Sequence, residues 1–200
     1  MKTIQIPDSI QYYDENAQNY FDTTICFDMR SLYDRFLPFI PKGGKILDAG
    51  CGSGRDSKYF LNQGYVVSAF DGSENMAKLA SQLTGLTVQH KNFLDINSEE
   101  EFNGIWSSAS LLHVPQPDLL KTLEKLKKAL RYQGVWYMSF RFGEGERNEG
   151  DRYFNDQTEI SLRNVLKQLG DFETIYMGIS DSLRSRRGYQ FVSTVVRKSK

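Results

Sequence analysis

Apolar and polar positions along this chain alternate between two rhythms. Short apolar runs, "KILDA", "YVVSAFD", "LTVQHKN", "FNGIWSSAS" and "GVWYMSF", predict five strands in the first 140 residues. Between and after them lie helical patterns: "RDSKYFLNQG" stopped by Gly64, "SENMAKLASQL" with Ser73 at its N-cap, "PDLLKTLEKLKKALR" with Pro117 near its start, and "TEISLRNVLKQLG" closed by Gly170. "FETIYMGIS" and "YQFVSTVVR" predict a sixth and a seventh strand with no helical pattern between them, hence an antiparallel hairpin. Strands alternating with helices imply a mostly parallel sheet covered by helices on both faces.

Two stretches stand outside that rhythm. The lead-in is aromatic and polar: "IQYYDENAQNYFD" suits a helix, and "MRSLYDRFLPFI" carries a helical stripe at Leu32, Tyr33, Phe36 and Leu37 that Pro38 and Pro41 end. "SFRFGEGERNEGDRYFND" has little apolar periodicity and reads as a loop.

Composition adds boundaries. The chain has 200 residues, enough for one sizeable core, and 25 basic residues balance 25 acidic ones. Zero net charge argues against a nucleic-acid partner, and the basic stretches "SLRSRRGYQ" and "VVRKSK" read as solvated surface. The sequence has no apolar run long enough for a bilayer and no apolar segment of signal-peptide type in its first 20 residues. Cys26 and Cys51 lack metal-ligand spacing, so the expectation is a cytoplasmic protein with free thiols and no metal.

The chemistry concentrates in "KILDAGCGSGRD". Strand, glycine-rich turn and helix present backbone N–H groups to a ligand at the carboxyl end of the sheet. The glycines are spaced G-x-G-x-G, and Arg55 stands where a dinucleotide fingerprint has its third glycine. No Gly-Lys-Ser/Thr follows to make a P-loop. Asp71 ends the second strand, where a carboxylate can accept both hydroxyls of a ribose. An adenosine ligand without a pyrophosphate fits this pattern.

"ILDAGCGSGRD" with "VSAFDGSENMAKLA" resembles the first two motifs of class I S-adenosylmethionine-dependent methyltransferases, and "FNGIWSSASLLHVP" and "LKKALRYQGVWYMSF" look like that family's fourth and fifth strand regions. "GCGSGRDS", "SLLHVP" and "FRFGEGE" look most like its small bacterial tellurite-resistance-type branch. The resemblance implies an α/β, Rossmann-like, seven-stranded, mostly parallel sheet with helices on both faces and an antiparallel last strand. It implies one methyltransferase domain over 1–200, with an N-terminal helical lid over 1–41 and a core over 42–200.

It further implies S-adenosyl-L-methionine bordered by Asp48, Gly50, Cys51, Gly52, Ser53, Gly54 and Arg55. Asp71, Gly72, Ser73 and Met76 come from the second strand and its helix, Asn92 and Phe93 from after the third strand, Ser108 and Ala109 from the fourth. Arg30 is an alternative to Arg55 for the cofactor carboxylate, Asp95 an alternative to Asn92 for the adenine amino group, and Cys51 fills space. Tyr12, Tyr13 and Tyr20 would close the site, with a ring facing the sulfonium. His113 and Tyr20 are the catalytic candidates, His90 reads as structural, and Arg141 and Glu144 are the substrate-side candidates. The expected partner is a small-molecule methyl acceptor. The alternatives are a non-catalytic cofactor-binding module and, less favoured, a nicotinamide-dependent oxidoreductase.

Overall fold

The structure, a computed structural model, describes residues 8–182 and 188–200. The lead-in forms α1 (Ser9–Glu15), α2 (Ala17–Thr24) and the short α3 (Arg30–Tyr33). Asp8 caps α1 by accepting the backbone N–H groups of Ile10 and Gln11. Then follow β1 (Lys45–Ala49), α4 (Arg55–Asn62), β2 (Val66–Asp71), α5 (Glu74–Thr84), β3 (Gln89–His90), β4 (Phe102–Ser107), α6 (Gln116–Ala129) and β5 (Leu130–Arg141). The chain ends with β6 (Gly145–Glu149), β7 (Arg152–Asp156), α7 (Glu159–Leu169), β8 (Phe172–Asp181) and β9 (Gln190–Lys198).

Seven strands make one sheet in the order β3-β2-β1-β4-β5-β9-β8, with β9 antiparallel to both its neighbours. This is the mostly parallel Rossmann-like sheet that the sequence implies, antiparallel hairpin included. Side chains alternate between its faces. Ile105, Trp136 and Met138 face one core, packed under Leu119, Leu123 and Leu126 of α6 and Leu162 and Val165 of α7. Trp106, Tyr137 and Val195 face the other, with Phe60 of α4. Strand order reverses between β1 and β4, and the crevice at the carboxyl ends of those strands is where such sheets hold ligands.

Three expectations change. The stretch after β5 is not a loop: β6 and β7 pair as a separate antiparallel ribbon. Tyr153 and Phe154 of β7 are buried, Phe154 in the sheet core, and Arg147 pairs with Asp156 across the ribbon; the polar residues around those two rings hide the strands from hydropathy alone. The lead-in is not all lid: Tyr33, Phe36 and Ile40 are buried in the sheet core with Trp106. "VVRKSK" is not solvated surface: Val195 and Val196 are fully buried, and Lys198, 7% exposed, donates to the Leu130 carbonyl at 2.8 Å. Of the other basic stretch, residues 183–187 lie outside the described residues.

Candidate active site

A cavity opens over the ends of β1, β2 and β4, and α1 and α2 form its roof. Counting its open mouth, it spans roughly 870 Å³ of space free of protein atoms. Its floor is stitched by backbone. The N–H groups of Gly50 and Cys51 both donate to the Phe70 carbonyl at 3.0 Å. The Gly52 N–H donates to Asp71 Oδ2 at 2.8 Å, and the Ser73 N–H to Asp71 Oδ1 at 2.9 Å. Burial raises the Asp71 carboxyl above its usual range, while those two N–H groups and a third from Gly72 oppose the rise. Each carboxylate oxygen keeps a further lone pair for a ligand hydroxyl.

The glycines divide by purpose. Gly50 and Gly52 border the cavity, and both have positive φ. A Cβ on Gly52 would meet only the Tyr20 ring, at 3.6 Å; one on Gly50 would collide with Ser110 Cβ at 2.5 Å. Gly54 does not border the cavity. A Cβ there would sit 2.9 Å from Ala80 Cβ, so this glycine lets α4 crowd against α5. Asp48 also lies beneath the cavity wall rather than on it. It is 2% exposed, accepts from Ser57 Oγ at 2.6 Å, and is pushed up to about 8 by burial and by the nearby Asp56 carboxylate.

Cys51, Ser53, Arg55, Gly72, Ser73, Met76, Asn92, Phe93, Ser108 and Ala109 all border the cavity. Arg55 is committed elsewhere. It makes a two-point ion pair with Asp56 and donates to the Thr24 carbonyl at 3.2 Å, anchoring the end of α2. Asp56 is buried; burial alone would raise it, but Arg55, Tyr33 and Trp106 together hold it low. Arg30 pairs with Asp28 on the surface. Ala109 carries φ 51°, and its N–H donates to Ser139 Oγ at 2.8 Å. A non-glycine residue in this region costs of order 1 kcal/mol, and here it turns the chain across the cavity. His90, exposed, bonds the Gly72 carbonyl and acts as a turn anchor.

On the roof, Tyr13 and Tyr20 border the cavity edge to face, with ring centroids 4.9 Å apart. Tyr12 does not border it; its ring covers the Arg152 guanidinium at 4.8 Å. His113 also borders the cavity. Its Nε2 lies 2.9 Å from the Tyr13 hydroxyl and its Nδ1 lies 2.7 Å from the Tyr153 carbonyl oxygen. Burial, then the Arg152 and Arg141 charges, take this histidine down to about 4.

Arg141 and Glu144 are not part of the cavity. Arg141 is sandwiched between Phe154 and Tyr189 and paired to Glu149 at 2.6 Å, and Glu144 is exposed beside the ribbon. The ribbon spends Arg141 on its own structure. Sequence reading missed Ser9, Ile10, Thr24, Lys91 and Ser110, all on the wall. It also missed Asp14, which ties α1 to the start of α5: its carboxylate accepts from Ser73 Oγ at 2.7 Å and from the Asn75 N–H at 2.8 Å. Only the polarity of the lead-in signalled that latch.

Residues 20–172 match the model of a family described as a methyltransferase domain. An uncharacterized methyltransferase of Staphylococcus carnosus (strain TM300) is 27% identical over 126 residues, 62% of this chain and 61% of that protein's length. The chain thus spans under two thirds of that relative. The crystal structure of 1,6-didemethyltoxoflavin-N1-methyltransferase from Burkholderia thailandensis superposes with a TM-score of 0.76 at 22% identity, covering 96% of this chain and 87% of that one. A TehB-like S-adenosylmethionine-dependent methyltransferase from Corynebacterium glutamicum gives 0.67 at 22% identity, covering 94% and 97%. At these identities the structural likeness concerns the fold.

Proposed function

Since the chain belongs to the methyltransferase-domain family, as an S-adenosylmethionine-dependent methyltransferase, we propose that it moves the methyl group to a small-molecule acceptor by direct in-line displacement. When bound, S-adenosylmethionine supplies a methyl carbon already activated on a sulfonium. The residues present fit that group. Gly52 leaves bare backbone facing the cavity, and beside it the two oxygens of Asp71 suit the vicinal hydroxyls of a ribose. That pairing of Gly52 with Asp71 carries the reading.

Gly72, Met76, Asn92 and Phe93 border the adenine side, and Ser108 and Ala109 the sulfur side. Tyr20 offers a ring face toward the positive sulfur, an attraction of roughly 0.5–2 kcal/mol. The protein's work is to align the acceptor and exclude water, which needs no covalent step. Residues 8–24 act as the lid, latched by Asp14, while residues 29–40 belong to the core beneath it.

The small bacterial tellurite-resistance-type branch is the finer assignment. The motifs "GCGSGRDS" and "SLLHVP" support it, with the fold likeness to the TehB-like protein. A binding module without turnover differs in one respect: it needs no acceptor beside the sulfur. Calorimetry with S-adenosylhomocysteine, followed by turnover on thiol, amine and oxyanion acceptors, tests both. Binding with methyl transfer supports the enzyme; binding with no transfer to any acceptor class favours the module; no binding removes the whole reading.

A further inference from the structure

Tyr13 sits where α1, β7 and the turn after β4 meet. The direction of its hydrogen bond to His113 is set from behind. The Tyr153 carbonyl can only accept, so Nδ1 carries the ring proton and Nε2 keeps its lone pair. The Tyr13 hydroxyl therefore donates to Nε2. The Arg152 guanidinium, which can only donate, hydrogen-bonds the same tyrosine. Arg152 is itself fixed, between the ring faces of Tyr12 and Phe154 at 4.8 and 5.1 Å, with Glu149 at 3.7 Å. A phenol whose proton points at an imidazole lone pair and whose oxygen faces a guanidinium is set up to lose that proton. Packing alone requires neither partner.

We propose that Tyr13, held between Arg152 and His113, receives the proton of the methyl acceptor, and that the acceptor is a flat aromatic molecule bearing a protonated oxygen or ring nitrogen. This deepens the methyl-transfer reading and rests on it. The rings of Tyr13 and His113, 5.2 Å apart on that part of the cavity wall, favour a planar guest. In the step itself the acceptor's X–H bond breaks and its electron pair stays on X as the nucleophile. The proton bonds to Tyr13 Oη, Tyr13's own proton bonds to His113 Nε2, and Nδ1 keeps its proton on the Tyr153 carbonyl. Once the product leaves, Nε2 returns that proton to Tyr13 Oη as Tyr13 releases the acceptor's proton to water in the emptied cavity.

The charged groups facing His113 are Arg152 from β7 and Arg141 from β5. With burial they keep the ring neutral at working pH, so Nε2 starts each cycle empty and holds the proton only in transit.

The test uses 4-nitrophenol, whose phenolate is coloured, with the protein saturated in S-adenosylhomocysteine. The ionisation midpoint of the bound probe should fall by about one pH unit or more, a tenfold gain in ionisation. Tyr13→Phe keeps the ring packing and should abolish the shift in protein that calorimetry shows to be saturated with S-adenosylhomocysteine. His113→Gln can make both ring hydrogen bonds but cannot take a proton, and should abolish it too. A shift that survives His113→Gln overturns the relay. A probe that does not bind, or a shift retained in Tyr13→Phe, overturns the acceptor assignment. Calorimetry on the same samples separates the failures: bound S-adenosylhomocysteine without a shift sinks this inference alone, whereas absent binding sinks the methyl-transfer reading with it.

Discussion

The carboxylate of Asp71 accepts the backbone N–H of Gly52 at 2.8 Å, which ties the end of β2 to the loop after β1. One side chain thereby shapes the loop and offers its remaining lone pairs to the ligand. Asp71→Ala should cost at least tenfold in S-adenosylhomocysteine affinity, since a charge-assisted hydrogen bond is worth about 1.5–3 kcal/mol. It should also loosen the loop. Calorimetry measures the first effect and amide exchange at Gly52 the second. Unchanged affinity would place the ribose elsewhere.

Gly52 and Gly54 should separate under substitution although they are two residues apart. Gly52→Val projects a branched side chain into the cavity beside Tyr20 at a φ of +53°. It should abolish cofactor binding and lower stability by about 1 kcal/mol. Gly54→Val forces α4 away from α5, with Ala80 only 2.9 Å from the new Cβ. Its main effect should be lost stability, about 1–3 kcal/mol or more. Urea titration beside ligand titration distinguishes the two. Equal effects on both measurements would void the division.

In the proposed lid, Asp14 is the latch. Asp14→Ala removes the acceptor for Ser73 and Asn75. Hydrogen exchange over residues 9–24 should speed up in the free protein and slow again when S-adenosylhomocysteine is added. Midpoint stability should change by no more than about 1 kcal/mol, because the latch is close to solvent. Deleting residues 1–22 should leave a folded domain that binds cofactor poorly, since the core stripe begins later, at Met29 and Tyr33. A truncated chain that fails to fold would make the roof part of the core.

His113 sets an acid limit. Its folded value, about 4, lies below the ordinary 6.5, so the unfolded chain binds more protons between those two values. This contribution to stability is intact above about pH 6.5 and is lost as pH falls toward 4. Between pH 7 and pH 5 the wild type should lose about 2 kcal/mol more than His113→Gln, read from urea midpoints. Parallel losses in both proteins would mean that His113 titrates normally.

The site was legible where function writes itself into consecutive residues. Gly52 and Asp71 could be named because a glycine turn and a strand-ending carboxylate are local signals. Gly54 was grouped with Gly50 and Gly52 because a glycine that helix packing requires and one that borders a cavity look alike in sequence; only Ala80 across the gap tells them apart. Arg141 and Glu144 were placed by chain position after β5. Glu149 of the β6–β7 ribbon engages Arg141, a partner eight residues away that only strand pairing brings into place.

The sequence by itself determined the sheet, its hairpin and the glycine loop that borders the cavity. Period-two and helical apolar patterns are set by side-chain direction along each element, and they survive without knowledge of any neighbour. Tertiary structure alone decided which groups work together. Tyr13 and His113 are 100 residues apart, and their hydrogen bond exists only because α1 lies over the end of β4. The same docking brings Arg152 to Tyr13 and Asp14 to Ser73. Burial also set the protonation states, lowering His113 and raising Asp48 and Asp71, because the cost of a buried charge depends on everything packed around it.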